Sequence, residues 1–196
     1  MTENFGAAVT WLDEQGALLR GLAHALSNRV GTLVAATGLL VPGGSASPTI
    51  VGVLREEGDR LEVLLGLVRL LAGSGGGEGE TPEPIHLPDL VTAAVELHSH
   101  HPDYRDVPVI VTPDPLAPPV RARYVGLVRA LLVLLSAAKH GAPEGARLAW
   151  HVDGETVALT FDGVIGTEGP AAAARWLLGA PVEASVAGYL VRLPRV

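Results

Sequence analysis

The sequence predicts an α+β protein in two parts, an N-terminal antiparallel helical hairpin followed by an α/β two-layer sandwich. Three observations carry this. Across residues 3–71, apolar side chains recur in steps of three and four, interrupted by a Pro-Gly-Gly cluster at residues 42–44. Residues 73–84 are then almost entirely Gly, Glu, Ser, Thr and Pro. Beyond them, short β-branched or alternating stretches fall between helical ones. The first pattern has the period of a helix and the last mixes helix and strand periods, so the chain changes architecture at the glycine-rich segment.

Residues 3–40 read as one helix, with Thr2 and Asn4 as available caps and residues 42–44 as its stop. Leu19, Leu22, Leu26, Val30, Leu33 and Leu40 fall on one stripe at about 100° per residue. His24 projects about 160° from the centre of that stripe. Asn28, one turn on, shares the outward face, and Arg20 and Gly31 flank it. Ser47 as cap and Pro48 at the first helical position open a second helix to about Leu71. Its apolar set is Ile50, Val53, Leu54, Leu61, Leu64, Leu65, Val68 and Leu71, with Arg55, Glu56, Glu57, Asp59 and Arg60 expected mostly outward. Long helices joined by a tight turn form a hairpin, and a lone hairpin leaves half of each apolar face in water. A homodimer closing a four-helix bundle is therefore expected.

The parts divide as residues 1–73, a Gly/Glu/Pro linker at 74–85, and a second domain at 86–196. Pro88 and Asp89 open a helix over residues 87–99, and residues 107–111 are a β-branched strand ending at Thr112-Pro113-Asp114. Residues 120–123 form a short extended piece. Residues 124–140 are a strongly apolar helix stopped by Gly141 and Pro143. Strands at residues 147–152 and Thr156–Asp162 flank the Asp153-Gly154 turn, a short helix covers residues 170–178, and Val182–Ser185 and residues 189–193 close the chain as strands. Helices with mostly antiparallel strands predict the two-layer sandwich.

Composition narrows the function. The 196 residues carry a formal charge of -7, which argues against a nucleic-acid backbone or an anionic membrane as the main partner. There is no cysteine, hence no disulfide and no thiolate metal site. Residues 1–13 lack an export signal, and the run at 64–72 is broken by Arg69 and too short to span a bilayer. A cytoplasmic, soluble protein is expected. His98-Ser99-His100-His101-Pro102-Asp103 reads as a helix end where imidazoles suit the dipole rather than as a metal site, and Lys139-His140 as a helix C-terminal pair. Trp11, Trp150 and Trp176 read as packing residues, with Trp11 near the open end of the bundle.

The order of these elements resembles the dimerisation/phosphotransfer and ATP-binding halves of two-component histidine kinases. The segment His24-Ala25-Leu26-Ser27-Asn28-Arg29-Val30 is similar to the H box of that family, His-Glu/Asp-Leu-x-Asn/Thr-Pro-Leu. Residues 127–141, ending Leu-Leu-Ser-Ala-Ala-Lys-His-Gly, resemble the N-box helix. Residues 147–163 resemble the strand pair leading to the Asp-x-Gly-x-Gly box, and Leu190-Val191-Arg192-Leu193-Pro194 the last strand of a degenerate, Bergerat-like ATPase sandwich. The departures share one direction. The two N-box asparagines are replaced by Leu132 and Ser136, and leucine offers no oxygen to a hard cation. Asp162-Gly163-Val164-Ile165-Gly166 keeps an Asp and a Gly, but the interval from Gly166 to Leu178 is too short for a phosphate loop or a long lid. Ala25 stands where the family has an acidic general base.

The resemblance thus implies a kinase-like protein without nucleotide or metal binding, similar to ChpT-like histidine phosphotransferases and to the sporulation phosphorelay phosphotransferase of bacilli. It implies that His24 accepts a phosphoryl group from one receiver-domain aspartate and passes it to another, in a two-component phosphorelay. Mg²⁺ is then expected on the partner receiver, and the partners are response-regulator receivers or a hybrid histidine kinase. Arg20, Ser27, Asn28, Arg29 and Gly31 are the expected receiver-contact or supporting residues. In the family the position matching Asn28 supports phosphatase activity, so the resemblance implies that Asn28 also allows dephosphorylation of a receiver; Arg29 replaces the usual proline. The alternative is a non-catalytic pseudokinase scaffold that binds and regulates a receiver or kinase. A working histidine kinase, a third reading, requires Mg²⁺-ATP binding.

Overall fold

The computed structural model describes residues 2–40, 47–72, 81–114, 116–142, 144–162 and 164–196. The expected turn at residues 42–44, most of the glycine-rich segment and Gly163 lie outside the described residues. Two helices come first, α1 (Thr2–Gly38) and α2 (Pro48–Ala72). Then follow β1 (Glu83–Ile85), α3 (Leu87–His98), β2 (Val109–Thr112), β3 (Val120–Ala122) and α4 (Tyr124–Gly141). The chain closes with β4 (Ala146–Asp153), β5 (Thr156–Asp162), α5 (Glu168–Leu178), β6 (Val182–Ser185) and β7 (Gly188–Pro194). The protein is α+β with a mixed sheet.

The main sheet has the order β2-β4-β5-β7-β6. Its antiparallel β4–β5 hairpin turns at Gly154, whose φ of +60° suits a residue without a Cβ. Period-2 alternation in β4, β5 and β7 turns Leu148, Trp150, Val157, Leu159, Phe161, Tyr189, Val191 and Leu193 inward. Helix α4 meets this layer with Leu127, Leu131, Leu132, Leu134 and Leu135, all at most 1 % exposed. By length and composition α4 is the one helix among the described residues able to cross a membrane, and most of it lies inside this core.

Pairing is mostly antiparallel, as expected, with β2–β4 running parallel. Other expectations change. The segment read as a linker ends in β1, which pairs antiparallel with β3, Pro84 opposite Arg121. Glu and Pro are poor strand formers, and a partner strand over thirty residues downstream overrides that propensity. Glu57 is not outward but buried. Its carboxylate accepts from Arg29 Nη1 at 3.2 and 3.3 Å and from Arg60 Nη1 at 2.6 Å, so two guanidiniums offset its desolvation.

Helix α1 also does more than pair with α2. Its N-terminal half lies on α4 and α5, where Ala7, Trp11 and Leu18 join the core. The Arg129 guanidinium sits 5.1 Å from the Trp11 ring centre, a cation–π contact. The hairpin and the sandwich therefore share one hydrophobic cluster. Beyond these contacts, Val9, Leu12, Leu19, Val30, Val34, Leu39 and Leu40 of α1 and Val51, Val53, Val63 and Leu65 of α2 remain exposed.

Candidate functional site

His24 sits on the middle of α1 and is exposed. Asn28 follows at i+4 on the same face, and its Nδ2 lies 3.2 Å from His24 Nε2. With the amide N–H donating, Nε2 is the lone-pair nitrogen and the ring proton is on Nδ1, a tautomer inferred from this contact. His24 and Asn28 form one wall of a cavity of about 550 Å³. Arg20 and Arg29 from α1 share the lining, and Ser99, His100, Pro102 and Arg105 approach from the turn between α3 and β2. Of the residues expected to surround His24, Arg20, Asn28 and Arg29 are brought together. Ser27 is not among the lining residues, and its hydroxyl donates to the Ala23 carbonyl at 2.8 Å. Gly31 faces open space.

The electrostatics are one-sided. Among the described residues, three arginines and two imidazoles line the cavity and no carboxylate does. Arg29 also keeps its ion pair with Glu57, which ties α1 to α2. Arg105 is exposed, with Asp106 Oδ2 3.4 Å from its Nε. Burial lowers the His100 pKa; the Glu96 carboxylate opposes the fall, and the Arg29 charge adds a smaller lowering.

The approach of the turn depends on Gly21, one helical turn before His24. A Cβ at position 21 would stand 1.7 Å from the His100 carbonyl oxygen, so only glycine lets the helix and the turn cross here. The turn is fixed from behind as well. The Tyr104 and Arg105 amides donate to the His101 carbonyl at 3.3 and 3.0 Å. Lys139 Nζ donates to the Tyr104 carbonyl at 3.1 Å, and the Tyr104 hydroxyl lies 3.2 Å from His140 Nδ1. The His101 and Tyr104 rings stack at 4.7 Å.

His98 ends α3 as expected, yet it is fully buried rather than fraying, its Nε2 2.7 Å from the Ser136 hydroxyl. Lys139, in the last turn of α4 as expected, is buried as well. Glu14 of α1 enters the same cluster, its carboxylate oxygens 3.8 Å from His98 Nε2 and 3.9 Å from His101 Nε2. Burial pushes the Glu14 carboxyl up to about 7 against the opposing Ser136 hydrogen bond and Lys139 charge. Burial also pushes His98 down to about 3, with Lys139 and His101 adding to the fall. Glu14 Oε1 and His98 Nδ1 have no hydrogen-bond partner. Of the two N-box positions, Leu132 is fully buried and Ser136 is engaged with His98. Residues 163–167 connect β5 to α5.

His100 and Arg105 are among the cavity residues that sequence reasoning did not place beside His24. His100 belongs to the histidine cluster and Arg105 lies just past it, but the contact with α1 spans some eighty residues of chain. No family model matches the chain, and no curated protein sequence does. Among solved structures, it is similar to the Acinetobacter baumannii histidine kinase AdeS, at 16 % identity and a TM-score of 0.47, over 90 % of this chain and 96 % of that one. It is similar to a bacterial phosphotransferase at 13 % identity and 0.42, over 93 % and 95 %. It is also similar to the histidine kinase ThkA in complex with the response regulator TrrA, at 12 % identity and 0.47, over 94 % of this chain and 63 % of that one.

Proposed function

We propose that the chain is a histidine phosphotransfer protein, relaying a phosphoryl group between receiver-domain aspartates through His24. The observation that carries this reading is the exposed His24–Asn28 pair on the wall of a cavity with basic side chains and no carboxylate. A dianionic phosphoryl group suits such surroundings, and an exposed imidazole whose Nε2 carries no proton is the nucleophile that phosphoryl transfer needs. The P–O bond to the donor aspartate breaks as the P–N bond to His24 forms, the carboxylate leaving with the electron pair. A second receiver reverses the step onto its own aspartate. Both steps depend on in-line positioning rather than on a base, which fits Ala25 at the next position. As the group arrives on Nε2, Asn28 turns its amide N–H from the ring to a phosphoryl oxygen.

On this reading the Mg²⁺ belongs to the receiver, and the chain itself binds neither nucleotide nor metal. Leu132 in the core and the hydroxyl of Ser136 bonded to His98 support that part of the reading. The exposed apolar residues of α1 and α2 support a homodimer closed as a four-helix bundle. The test is to mix the protein with a ³²P-labelled receiver and look for acid-labile, base-stable label. Label on the wild type that is lost in His24→Ala is the expected result. Tight receiver binding with the label remaining on the receiver and none on this chain rejects the relay and leaves a regulatory scaffold.

A further inference from the structure

We propose that Arg105, presented by the α3–β2 turn of the second domain, binds the phosphoryl group carried by His24 on the same chain. This rests on the reading of His24 as a phosphoryl carrier and adds a residue to its site from outside the helical hairpin. Four observations carry it. Arg105 lines the cavity that His24 lines. That cavity holds Arg20, Arg29 and Arg105 without a carboxylate on its wall, in a chain whose formal charge is -7. Of the three, Arg29 is already bound to buried Glu57, whereas Arg105, among the described residues, has the exposed Asp106 beside it at 3.4 Å. Finally, its backbone is held: the Arg105 amide donates to His101, and the turn is clamped between Gly21 in front and Lys139 and His140 behind.

A guanidinium on a fixed turn presents a planar fork that matches phosphate oxygens, and it does not lose its charge at any working pH. The cavity is large enough for this. A water takes about 30 Å³ of liquid, so about 550 Å³ admits a phosphoryl group and the tip of a donor's loop together. Arg105 is thus a binding residue contributed by the second domain, which explains why a sandwich whose N-box positions hold Leu132 and Ser136 remains clamped to α1.

The experiment uses potassium phosphoramidate as a small donor, so that no partner protein is required. In the reaction the P–N bond of phosphoramidate breaks as a P–N bond to His24 forms, and the imidazole proton leaves with the ammonia. The chain has seven histidines, so the label assigned to His24 is the part that His24→Ala lacks. The rate of labelling and the ³¹P shift of the phosphohistidine are followed in wild type, Arg105→Ala, Arg105→Lys and Asp106→Asn. Arg105→Ala is expected to slow labelling about tenfold and to move the ³¹P resonance. Arg105→Lys restores part of the rate, and Asp106→Asn, which frees the guanidinium, matches or exceeds wild type. Arg105 is exposed, so its removal leaves the melting temperature in place. Labelling of His24 at the same rate and shift in wild type and Arg105→Ala overturns the role of Arg105 alone. Absence of His24 label in the wild type overturns the phosphotransfer reading, and this inference with it.

Discussion

Gly21→Ala is the substitution that most sharply tests how the site is put together. In an exposed helix interior, Gly→Ala stabilises by about 1 kcal/mol, because alanine loses less backbone entropy on folding. Position 21 is different. The new Cβ would stand 1.7 Å from the His100 carbonyl oxygen, where ordinary contact begins at 3.4 Å, so helix and turn must separate by about 1.7 Å. Overpacking of this kind costs about 1–3 kcal/mol. Gly58 on α2 supplies the comparison, since a Cβ there meets nothing within 4 Å. The helical gain is common to both substitutions, so their difference isolates the crossing. For a protein of this size that difference corresponds to about 2–12 °C in melting temperature, at roughly 2–4 °C per kcal/mol. Calorimetry is expected to show Gly58→Ala raised by about 2–4 °C and Gly21→Ala well below it. Labelling of His24 should fall in Gly21→Ala alone, because the turn bearing His100 and Arg105 retreats. A Gly21→Ala protein that gains as much as Gly58→Ala would refute the close crossing, and with it the cavity.

Two further outcomes follow from the buried cluster and from the exposed stripe. Folding binds a proton at Glu14 between its ordinary 4.5 and about 7, so that group lowers stability as pH rises through the window. Folding releases a proton from His98 between its ordinary 6.5 and about 3, so stability is lost there as pH falls. Between about 4.5 and 6.5 the two offset each other, and denaturant melts should show a plateau that declines on both sides. Glu14→Gln removes the alkaline decline and is more stable than wild type at pH 8 by up to about 3 kcal/mol; an unchanged alkaline limb contradicts the assignment. For the stripe, Val34 is 65 % exposed on α1. Sedimentation velocity is expected to find a wild-type dimer that Val34→Glu converts to monomer, and a wild-type monomer at micromolar concentration would remove the bundle.

The parts legible in the sequence were those with local causes. The α1 and α2 periods, the stop of α4, the Asp153-Gly154 turn and the outward placement of His24 beside Asn28 all follow from a few neighbouring residues. What was not legible depends on residues distant in the chain. β1 became a strand because β3 pairs with it, although Glu83 and Pro84 read as linker. Glu57 turned inward because Arg29, twenty-eight residues earlier, meets it. His98 does end α3, but its burial was not legible because nothing near it in sequence announces Ser136 and Glu14. The same holds for Gly21, an ordinary helical glycine until the His100 carbonyl stands against it.

The most direct test of the central claim uses two receivers and a trace of this protein. One receiver carries ³²P on its aspartate, the other is unlabelled, and the chain is present at one hundredth of their concentration. Label is expected to reach the second receiver in many-fold excess over the chain, to pass through acid-labile phosphohistidine, and to stop with His24→Ala. Transfer that continues unchanged in His24→Ala, or none with the wild type although both receivers bind, would contradict it.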